Sequence, residues 1–310
     1  MDKSNLTPAM RQYVDLKEKH PDCIIMFRMG DFYELFYEDA KVAAKELEIT
    51  LTSRGKGERK APLAGIPYHA LDNYLGRFVK KGYKVAICEQ LEDPKFAKGL
   101  VKRGIVRIVT PGTLIDSSSL DSSSNNYVMS LFQLGEKYGV SFCDVTTGEF
   151  FVFSGTFDDV KEEVLRFKAA ECVVPESLLV DKDLISKLKD IGVYVSDYSD
   201  RYFGFDYSKE RFLKHFEVFS LEGFGFLDNI EVRVAGGLLS YVLDTQMNSL
   251  LHIKKLKRLF REDSMFLDNV AIKNLELIDG FSGTKGSLYY VLNRTSTSMG
   301  ARLLKRWLKS

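Results

Sequence analysis

Two residues near the N-terminus, Phe32 and Glu34, have side chains and a spacing that could act together on a nucleic-acid base. They follow Gly30-Asp31, a dipeptide typical of turns. In a strand, residues two apart project from the same face, so the aromatic ring and the carboxylate would lie side by side. A structural interpretation stays open, because an aromatic residue near a strand end usually packs and an exposed glutamate often has no partner.

Charge is unevenly distributed along this nearly neutral chain. Residues 51–110 contain 13 Lys or Arg against 5 Asp or Glu, whereas residues 1–50 contain 7 against 10. Such a distribution indicates one surface for an anionic partner, with a solvated lysine-rich face as the alternative. An apolar wedge beside cations is typical of proteins that unstack bases from the minor groove. A glutamate disfavours binding to ordinary duplex DNA, because it approaches phosphates of its own charge, and it can hydrogen-bond a displaced base. The pair would therefore detect positions in DNA where base pairing is weak.

A pair of acids further along, Asp144 and Glu149, permits an enzymatic hypothesis. A metal-dependent nuclease of the ribonuclease-H type needs several carboxylates that converge on two ions. No further carboxylate stands out as a partner, and an aspartate at a turn such as Asp144 is more often a cap. A third possibility is a non-catalytic interaction module with only weak, nonspecific DNA binding.

The composition argues against several classes of protein. No run of about 18 apolar residues is present, and the polar N-terminus lacks the apolar core of a secretion signal. The four cysteines are far apart, without CxxC spacing or a histidine at ligand distance, which indicates buried thiols rather than disulfides or a zinc site. We therefore expect a cytoplasmic protein with no metal and no membrane partner.

The elements that would position Phe32 and Glu34 form a mixed α/β domain. Hydrophobic periodicity predicts a helix in LTPAMRQYVDLKEKHP, strands in CIIMFRM and DFYELF, and a helix in EDAKVAAKELEI. Thr7 is the predicted N-cap of the first helix and Pro8 its first residue. The glycine-rich and charged TLTSRGKGERKAPLAGIP is predicted to be a mobile basic loop. A helix in HALDNYLGRFVKKG and strands in YKVAICEQL and VKRGIVRIVTPGT complete the domain, which ends near residue 114.

Two further domains are predicted beyond a serine-rich linker, residues 115–126. Residues 127–245 contain three short β-rich runs followed by alternating helix and strand, the pattern of a ribonuclease-H-like domain. Residues 246–310 are mostly helical in pattern and predict the beginning of an all-helical domain.

Several strings, in order, resemble the bacterial MutS family of DNA mismatch repair proteins. They are FRMGDFYELFYEDA, APLAGIPYHALDNYLGRFVKKGYKVAICEQLEDP, VTPGT, NLEL and RTSTSMGARLLKRWL, and they extend over essentially the whole chain. The resemblance implies a mismatch-recognition domain, a connector domain and the start of a helical core and lever region. It also implies that Phe32 stacks on a mispaired or unpaired base and that Glu34 hydrogen-bonds that base. By the same resemblance, DNA contacts would come from Met29, Arg54, Tyr68 and His69.

The resemblance further implies partners and a cofactor. These are double-stranded DNA with mismatches or small insertion/deletion loops, MutL through the connector, and a homodimer of the full-length protein. ATP and Mg²⁺ are expected for the full-length protein, but the phosphate-binding sequence G-x-x-x-x-G-K-[ST] does not occur in these 310 residues. GFSGTKGS, which starts at Gly280, has the wrong spacing for it. We therefore expect no cofactor and no ATP hydrolysis in this chain.

Overall fold

The computed structural model describes residues 6–55, 60–92, 99–115, 123–226, 228–247, 250–260, 267, 269–280 and 283–309. The chain divides into two compact units, residues 1–119 with 245–248 and residues 120–244 with 249–310. Most of the predicted serine-rich linker, namely residues 116–122, lies outside the described residues. Within these ranges no helix is both long and apolar enough to cross a membrane.

The first unit contains three helices and six strands among its described residues. Their bounds are α1 Pro8–Lys19, β1 Cys23–Met29, β2 Phe32–Phe36, α2 Tyr37–Leu47, β3 Thr52–Arg54, β4 Ala61–Pro67, α3 Leu71–Lys80, β5 Lys84–Gln90 and β6 Arg103–Val109. The strands form one mixed sheet in the order β3-β4-β2-β1-β5-β6. The mixed α/β architecture predicted for this part of the chain is confirmed.

Helix α1 covers one end of one face of this sheet. The helix starts as its sequence predicts, with Pro8 in the first turn and the Thr7 hydroxyl accepting a hydrogen bond from the Met10 amide. The buried Asp39 carboxylate of α2 anchors α1, because it accepts hydrogen bonds from the Tyr13 hydroxyl and the Lys17 ammonium, at 2.6 and 2.8 Å. Tyr13 and its neighbours therefore seal only the end of the face that lies under the helix.

The prediction of a mobile basic loop between α2 and α3 is wrong for the part of it that the structure describes. Residues 52–54 and 61–67 are antiparallel strands, with Thr52 opposite Leu63 and Arg54 opposite Ala61. Two prolines and a glycine in β4 argue against a central strand. The hydrogen-bonding edge of β2 overrides that signal, since β4 pairs along the whole of β2 and buries Ala64 and Ile66. Residues 56–59 of the predicted loop lie outside the described residues.

The second unit contains seven helices and six strands among its described residues. Their bounds are β7 Tyr127–Leu134, β8 Lys137–Asp144, β9 Glu149–Gly155, α4 Phe157–Phe167, β10 Glu171–Pro175, α5 Lys182–Asp190, β11 Tyr194–Tyr198, α6 Phe205–Phe216, α7 Asn229–Gln246, β12 Lys257–Arg258, α8 Asn269–Asn274, α9 Leu288–Leu292 and α10 Ser298–Trp307. The terminal segment, predicted to be mostly helical, is interrupted between α9 and α10. The Thr297 hydroxyl caps α10 by accepting a hydrogen bond from Gly300.

The second sheet has the strand order β11-β10-β7-β8-β9-β12. Strands β7, β8 and β9 are an antiparallel meander, and β10 and then β11 continue the sheet in parallel from β7. This arrangement agrees with the predicted ribonuclease-H-like pattern. The sixth strand, β12, comes from the segment that the sequence assigns to the helical domain and pairs with β9.

Both faces of the meander are buried. Met129 and Phe142 pack on one face against α4 and α5, and Val128 and Cys143 pack on the other against α6 and α7. Helix α7 approaches its neighbours closely because it contains a pair of glycines. A Cβ at Gly236 would lie 2.2 Å from the Cβ of Ser208, and one at Gly237 would lie 2.5 Å from the Phe203 ring.

Candidate nucleic-acid interface

The β1–β2 hairpin presents the two residues from which the sequence argument started. Met29 and Phe32 are opposite each other, so Gly30 and Asp31 form a two-residue turn, and Gly30 has the positive φ of 58° that such turns require. The Asp31 carbonyl accepts a hydrogen bond of 2.9 Å from the amide of Tyr68. The turn is therefore attached to the chain that follows β4.

Alternation along β2 separates an exposed face from a buried one, as predicted. Tyr33 and Leu35 are 3% and 0% exposed and belong to the core. Phe32 projects from the opposite face and is 48% exposed. Phe36 projects from that same face but is 1% exposed, because it lies under α1 and packs edge-on against Tyr13. The sheet thus has a sealed end and an open end on one face.

The open end holds four of the six residues predicted to contact DNA. Met29, Phe32 and Glu34 lie on neighbouring positions of β1 and β2, and Arg54 comes from β3. The Arg54 guanidinium donates a hydrogen bond of 2.7 Å to the Glu34 carboxylate. Glu34 is opposite Gly65 of β4, where a Cβ would be in ordinary contact with the side chains of Glu34 and Phe32. No side chain on β4 therefore covers the aromatic ring at that position.

The remaining two predicted residues, Tyr68 and His69, lie in a 3₁₀ turn after β4. Their rings are 5.8 Å apart, edge to face, and both are exposed. Tyr68 contacts the Arg28 guanidinium, which lies 4.1 Å from the ring centre. This cation–π contact orients Tyr68 beside the hairpin turn rather than beside Glu34.

Two arginines at this end of the sheet were not predicted from the sequence. Arg103 donates a hydrogen bond of 2.7 Å to the Arg28 carbonyl and lies 5.2 Å from the centre of the Phe27 ring. Burial lowers the pKa of the Arg103 guanidinium, and the nearby Glu34 carboxylate acts in the opposite direction. Arg28 itself lies 3.9 Å from the Glu89 carboxylate, which accepts a hydrogen bond from Tyr33. A single charge inside the apolar run CIIMFRM was the available signal for Arg28.

The acids of the nuclease hypothesis have structural partners in the second unit. Asp144 is buried and accepts hydrogen bonds from the amide and hydroxyl of Thr146, at 2.8 and 2.6 Å, which makes it the cap of the β8–β9 turn. Asn125 donates to both Asp144 and Glu149. Among the described residues, no three His, Cys, Asp or Glu side chains are grouped so that they could hold a metal ion.

Three family models match the chain in sequence order. MutS domain I matches residues 7–118, MutS domain II matches residues 126–254, and MutS domain III matches residues 270–310. The chain belongs to the MutS family. The exposed hairpin lies in MutS domain I, the ribonuclease-H-like meander in domain II, and α10 in domain III.

Curated relatives match almost all of this chain. The DNA mismatch repair protein MutS of Methanococcoides burtonii is 50% identical over 313 residues, which is 98% of this chain and 35% of that protein. The MutS of Methanosarcina mazei is 49% identical over 325 residues, 98% of this chain and 36% of that protein. The MutS of Acetivibrio thermocellus is 43% identical over 314 residues, 99% of this chain and 36% of that protein. The chain spans about a third of the length of these relatives.

Proposed function

We propose that this chain recognises mismatched DNA, with Phe32 inserted from the minor groove at a mispaired or unpaired base. The observation that carries the proposal is the exposure of Phe32 at the open end of a sheet whose other end is sealed. A large aromatic side chain that the fold leaves uncovered, on rigid strands, is available to stack on a base. Each stacked base is worth about 1–3 kcal/mol.

Glu34 gives this insertion its discrimination. A carboxylate at the wedge repels the phosphates of an ordinary duplex and can accept a hydrogen bond from a base displaced by the ring. Arg54, at 2.7 Å from Glu34, holds the carboxylate in position and contributes a cation to the same face. Arg103 supports the hairpin backbone and brings a second positive charge close to Glu34.

The family supports the wider role. The curated relatives carry the name DNA mismatch repair protein, and we extend that role to this chain. We further propose that the connector domain recruits MutL, that the full-length protein is a homodimer, and that its ATP and Mg²⁺ are bound outside these 310 residues. Met29, Tyr68 and His69 would contact the groove or backbone around the inserted ring.

A comparison of duplexes with and without a mismatch tests the proposal. Binding of a G·T or single-T-bulge duplex and of its matched control is measured by fluorescence anisotropy over a range of salt concentrations. We expect the wild-type chain to prefer the mismatched duplex and Phe32→Ala to lose that preference, roughly 5- to 150-fold from the stacking energy. Phe219→Ala is the control. It removes a phenylalanine that is fully exposed in the second unit, and it should leave binding unchanged.

Two further outcomes distinguish the alternatives. Glu34→Ala should tighten binding to the matched duplex, and weaker or unchanged matched binding would contradict the charge-repulsion argument. A wild-type chain that binds both duplexes equally, with a steep salt dependence, would identify the nonspecific interaction module instead.

A further inference from the structure

The face of the β1–β2 hairpin opposite Phe32 contains Arg28, Tyr33 and Glu89, here called the polar row. Arg28 and Tyr33 are opposite each other on β1 and β2, so they share a face, whereas Phe32 projects from the other face. The Tyr33 hydroxyl donates a hydrogen bond to the Glu89 carboxylate of β5, and the Arg28 guanidinium lies 3.9 Å from that carboxylate. Burial, and then the bond to Glu89, raise the pKa of Tyr33, so its hydroxyl remains the donor at neutral pH. The polar row therefore connects the hairpin to the neighbouring strand of the sheet.

Arg28 also contacts the turn of the hairpin. Its Nε donates a hydrogen bond to the carbonyl oxygen of Gly30, the turn residue with positive φ. Its guanidinium lies 4.1 Å from the centre of the Tyr68 ring, and the Tyr68 amide donates a hydrogen bond of 2.9 Å to the Asp31 carbonyl. Both carbonyls of the Gly30-Asp31 turn are thus held, one by Arg28 and the other by the residue on which Arg28 stacks.

These contacts limit what the Arg28 side chain can do. The side chain is 18% exposed, and its guanidinium is engaged by the Gly30 carbonyl, the Glu89 carboxylate and the Tyr68 ring. Such a cation is poorly placed to contact a phosphate, unlike Arg54, whose side chain is 52% exposed. The surroundings of Arg28 therefore suit a residue that fixes the hairpin rather than one that binds DNA directly.

We propose that Arg28 is a positioning residue for Phe32, and that it fixes the hairpin turn so that the ring projects from the open end of the sheet before DNA binds. This role rests on the proposed function, the insertion of Phe32 at a mispaired or unpaired base. Arg28 acts through the turn and through Tyr68, and it does not itself touch the base.

The physical advantage of a fixed turn is preorganisation. A turn or side chain that moves freely before binding has to be ordered when the complex forms, and each such group lowers the affinity by roughly 2- to 10-fold. A turn that is already held in the binding geometry avoids this loss. The direction of the ring matters for insertion between bases and not for contacts with phosphates. Arg28 should therefore affect binding to mismatched DNA and leave binding to matched DNA unchanged.

Arg28→Lys tests this role, because it keeps the positive charge and removes the flat guanidinium. A lysine ammonium cannot both donate to the Gly30 carbonyl and stack on the Tyr68 ring. In fluorescence anisotropy we expect Arg28→Lys to bind the G·T duplex about 5- to 10-fold more weakly, with matched binding and its salt dependence unchanged. Arg201→Lys is the matched control, since the Arg201 guanidinium lies 5.1 Å from the ring centre of Tyr202 in the second unit. It should bind both duplexes as the wild type does.

Two further measurements separate positioning from a general effect on folding. A 2-aminopurine beside the mismatch fluoresces more strongly when it is unstacked, so its signal at saturating protein reports the fraction of complexes in which the ring is inserted. Arg28→Lys should lower that signal, whereas a partly unfolded variant would reach the wild-type signal at a higher total protein concentration. In the Phe32→Ala background Arg28→Lys should cause no further loss of mismatch binding, because Arg28 acts through the ring.

Glu89→Gln is a milder second variant. It keeps the shape of the side chain and an acceptor for the Tyr33 hydroxyl, and it removes the negative charge beside Arg28. The ratio of mismatched to matched affinity should fall about twofold, as expected for a partly exposed ion pair. Native-state hydrogen exchange in β1 and β2 shows whether the hairpin of each variant is folded. If Arg28→Lys unfolds the hairpin, Glu89→Gln decides, and an unchanged ratio overturns the role of Arg28.

Other results would overturn the role of Arg28 and leave the proposed function in place. Unchanged mismatch binding by a folded Arg28→Lys chain would show that the turn needs no support from the guanidinium. Equal weakening for both duplexes, with a shallower salt dependence, would identify Arg28 as a phosphate contact. A further loss in the Phe32→Ala background would show that Arg28 acts independently of the ring. A wild-type chain without any mismatch preference would instead refute the proposed function, and the role of Arg28 with it.

Discussion

The two six-stranded sheets of this chain differ in how completely their faces are covered. The connector sheet is buried on both sides, with Phe142 and Val128 packed on opposite faces against different pairs of helices. In the first unit, α1 covers only the part of one face that contains Phe36, and Phe32 at the other end of the same strand stays half exposed. The covered sheet is built for stability, whereas the uncovered end of the other is available to a ligand.

This difference teaches that residue type alone does not identify a functional aromatic. Phe32 and Phe36 lie on one strand and one face, four residues apart. What separates them is the position of α1, whose Tyr13 packs edge-on against Phe36. The position of a side chain relative to the covering helix decides whether it contributes to folding or to binding.

The strongest test of this contrast substitutes the two phenylalanines of β2 separately. Phe36→Ala should destabilise the first unit by about 3–5 kcal/mol, because it leaves a cavity beneath Tyr13 and Phe27. Phe32→Ala should cost only about 1–1.5 kcal/mol, since about half of its surface stays in contact with water after folding. Native-state hydrogen exchange of the β1 and β2 amides measures the loss of stability of the first unit in each variant. Comparable losses in the two variants would show that Phe32 is a packing residue and would contradict its role as a wedge.

A smaller effect is expected from the buried acid of the connector. Asp144→Asn keeps the shape but places an amide nitrogen near Asn125 or Thr146, where only an acceptor fits. We expect a loss of about 1–3 kcal/mol in connector stability, the usual range for one unsatisfied buried group. Denaturant unfolding followed by hydrogen exchange in β8 and β9 measures it.

The same variant tests the nuclease alternative. DNA and RNA should remain uncleaved with Mg²⁺ or Mn²⁺ in both the wild type and Asp144→Asn. Cleavage by the wild type that disappears in Asp144→Asn would assign Asp144 a catalytic role in place of the turn cap.

Local sequence patterns were sufficient to predict the β1–β2 hairpin and the two faces of β2. The alternation in DFYELF, the turn at Gly30-Asp31 and the helix start at Thr7-Pro8 all involve neighbours along the chain, and the structure confirms them. The burial of all four cysteines was also predicted correctly. The fold class followed from the order of such elements.

Contacts between distant parts of the chain could not be predicted in this way. Arg103 supports a carbonyl 75 residues earlier, and nothing in KRGIVRI specifies that partner. The strands around Arg54 were hidden by the glycine and proline content of TLTSRGKGERKAPLAGIP, although their pairing is determined by the free edge of β2. The extent of α1 over the sheet, which leaves Phe32 exposed, is likewise a property of tertiary packing.

The ion pair between Arg54 and Glu34 at the open end of the first sheet should have the smallest effect on stability. Its removal gives the finest test of the contrast between the covered and the uncovered sheet. Arg54 is half exposed and Glu34 is one-fifth exposed, so solvent and salt screen the pair. Arg54→Gln should therefore change the stability of the first unit by less than about 1 kcal/mol. In binding the same substitution should matter more, because it removes a cation from the surface proposed to face DNA and leaves Glu34 without its guanidinium partner.

We expect Arg54→Gln to weaken binding to matched and mismatched duplexes alike, and to lower the steepness of the salt dependence by about one phosphate contact. Lys41→Gln, which removes an exposed cation of α2 paired with Glu38, serves as the control. Combining Arg54→Gln with Glu34→Gln should restore much of the matched-duplex affinity, because the repelling carboxylate is then gone as well. If the double variant binds no better than Arg54→Gln alone, Glu34 does not repel the duplex, and the open end owes its selectivity to the aromatic ring alone.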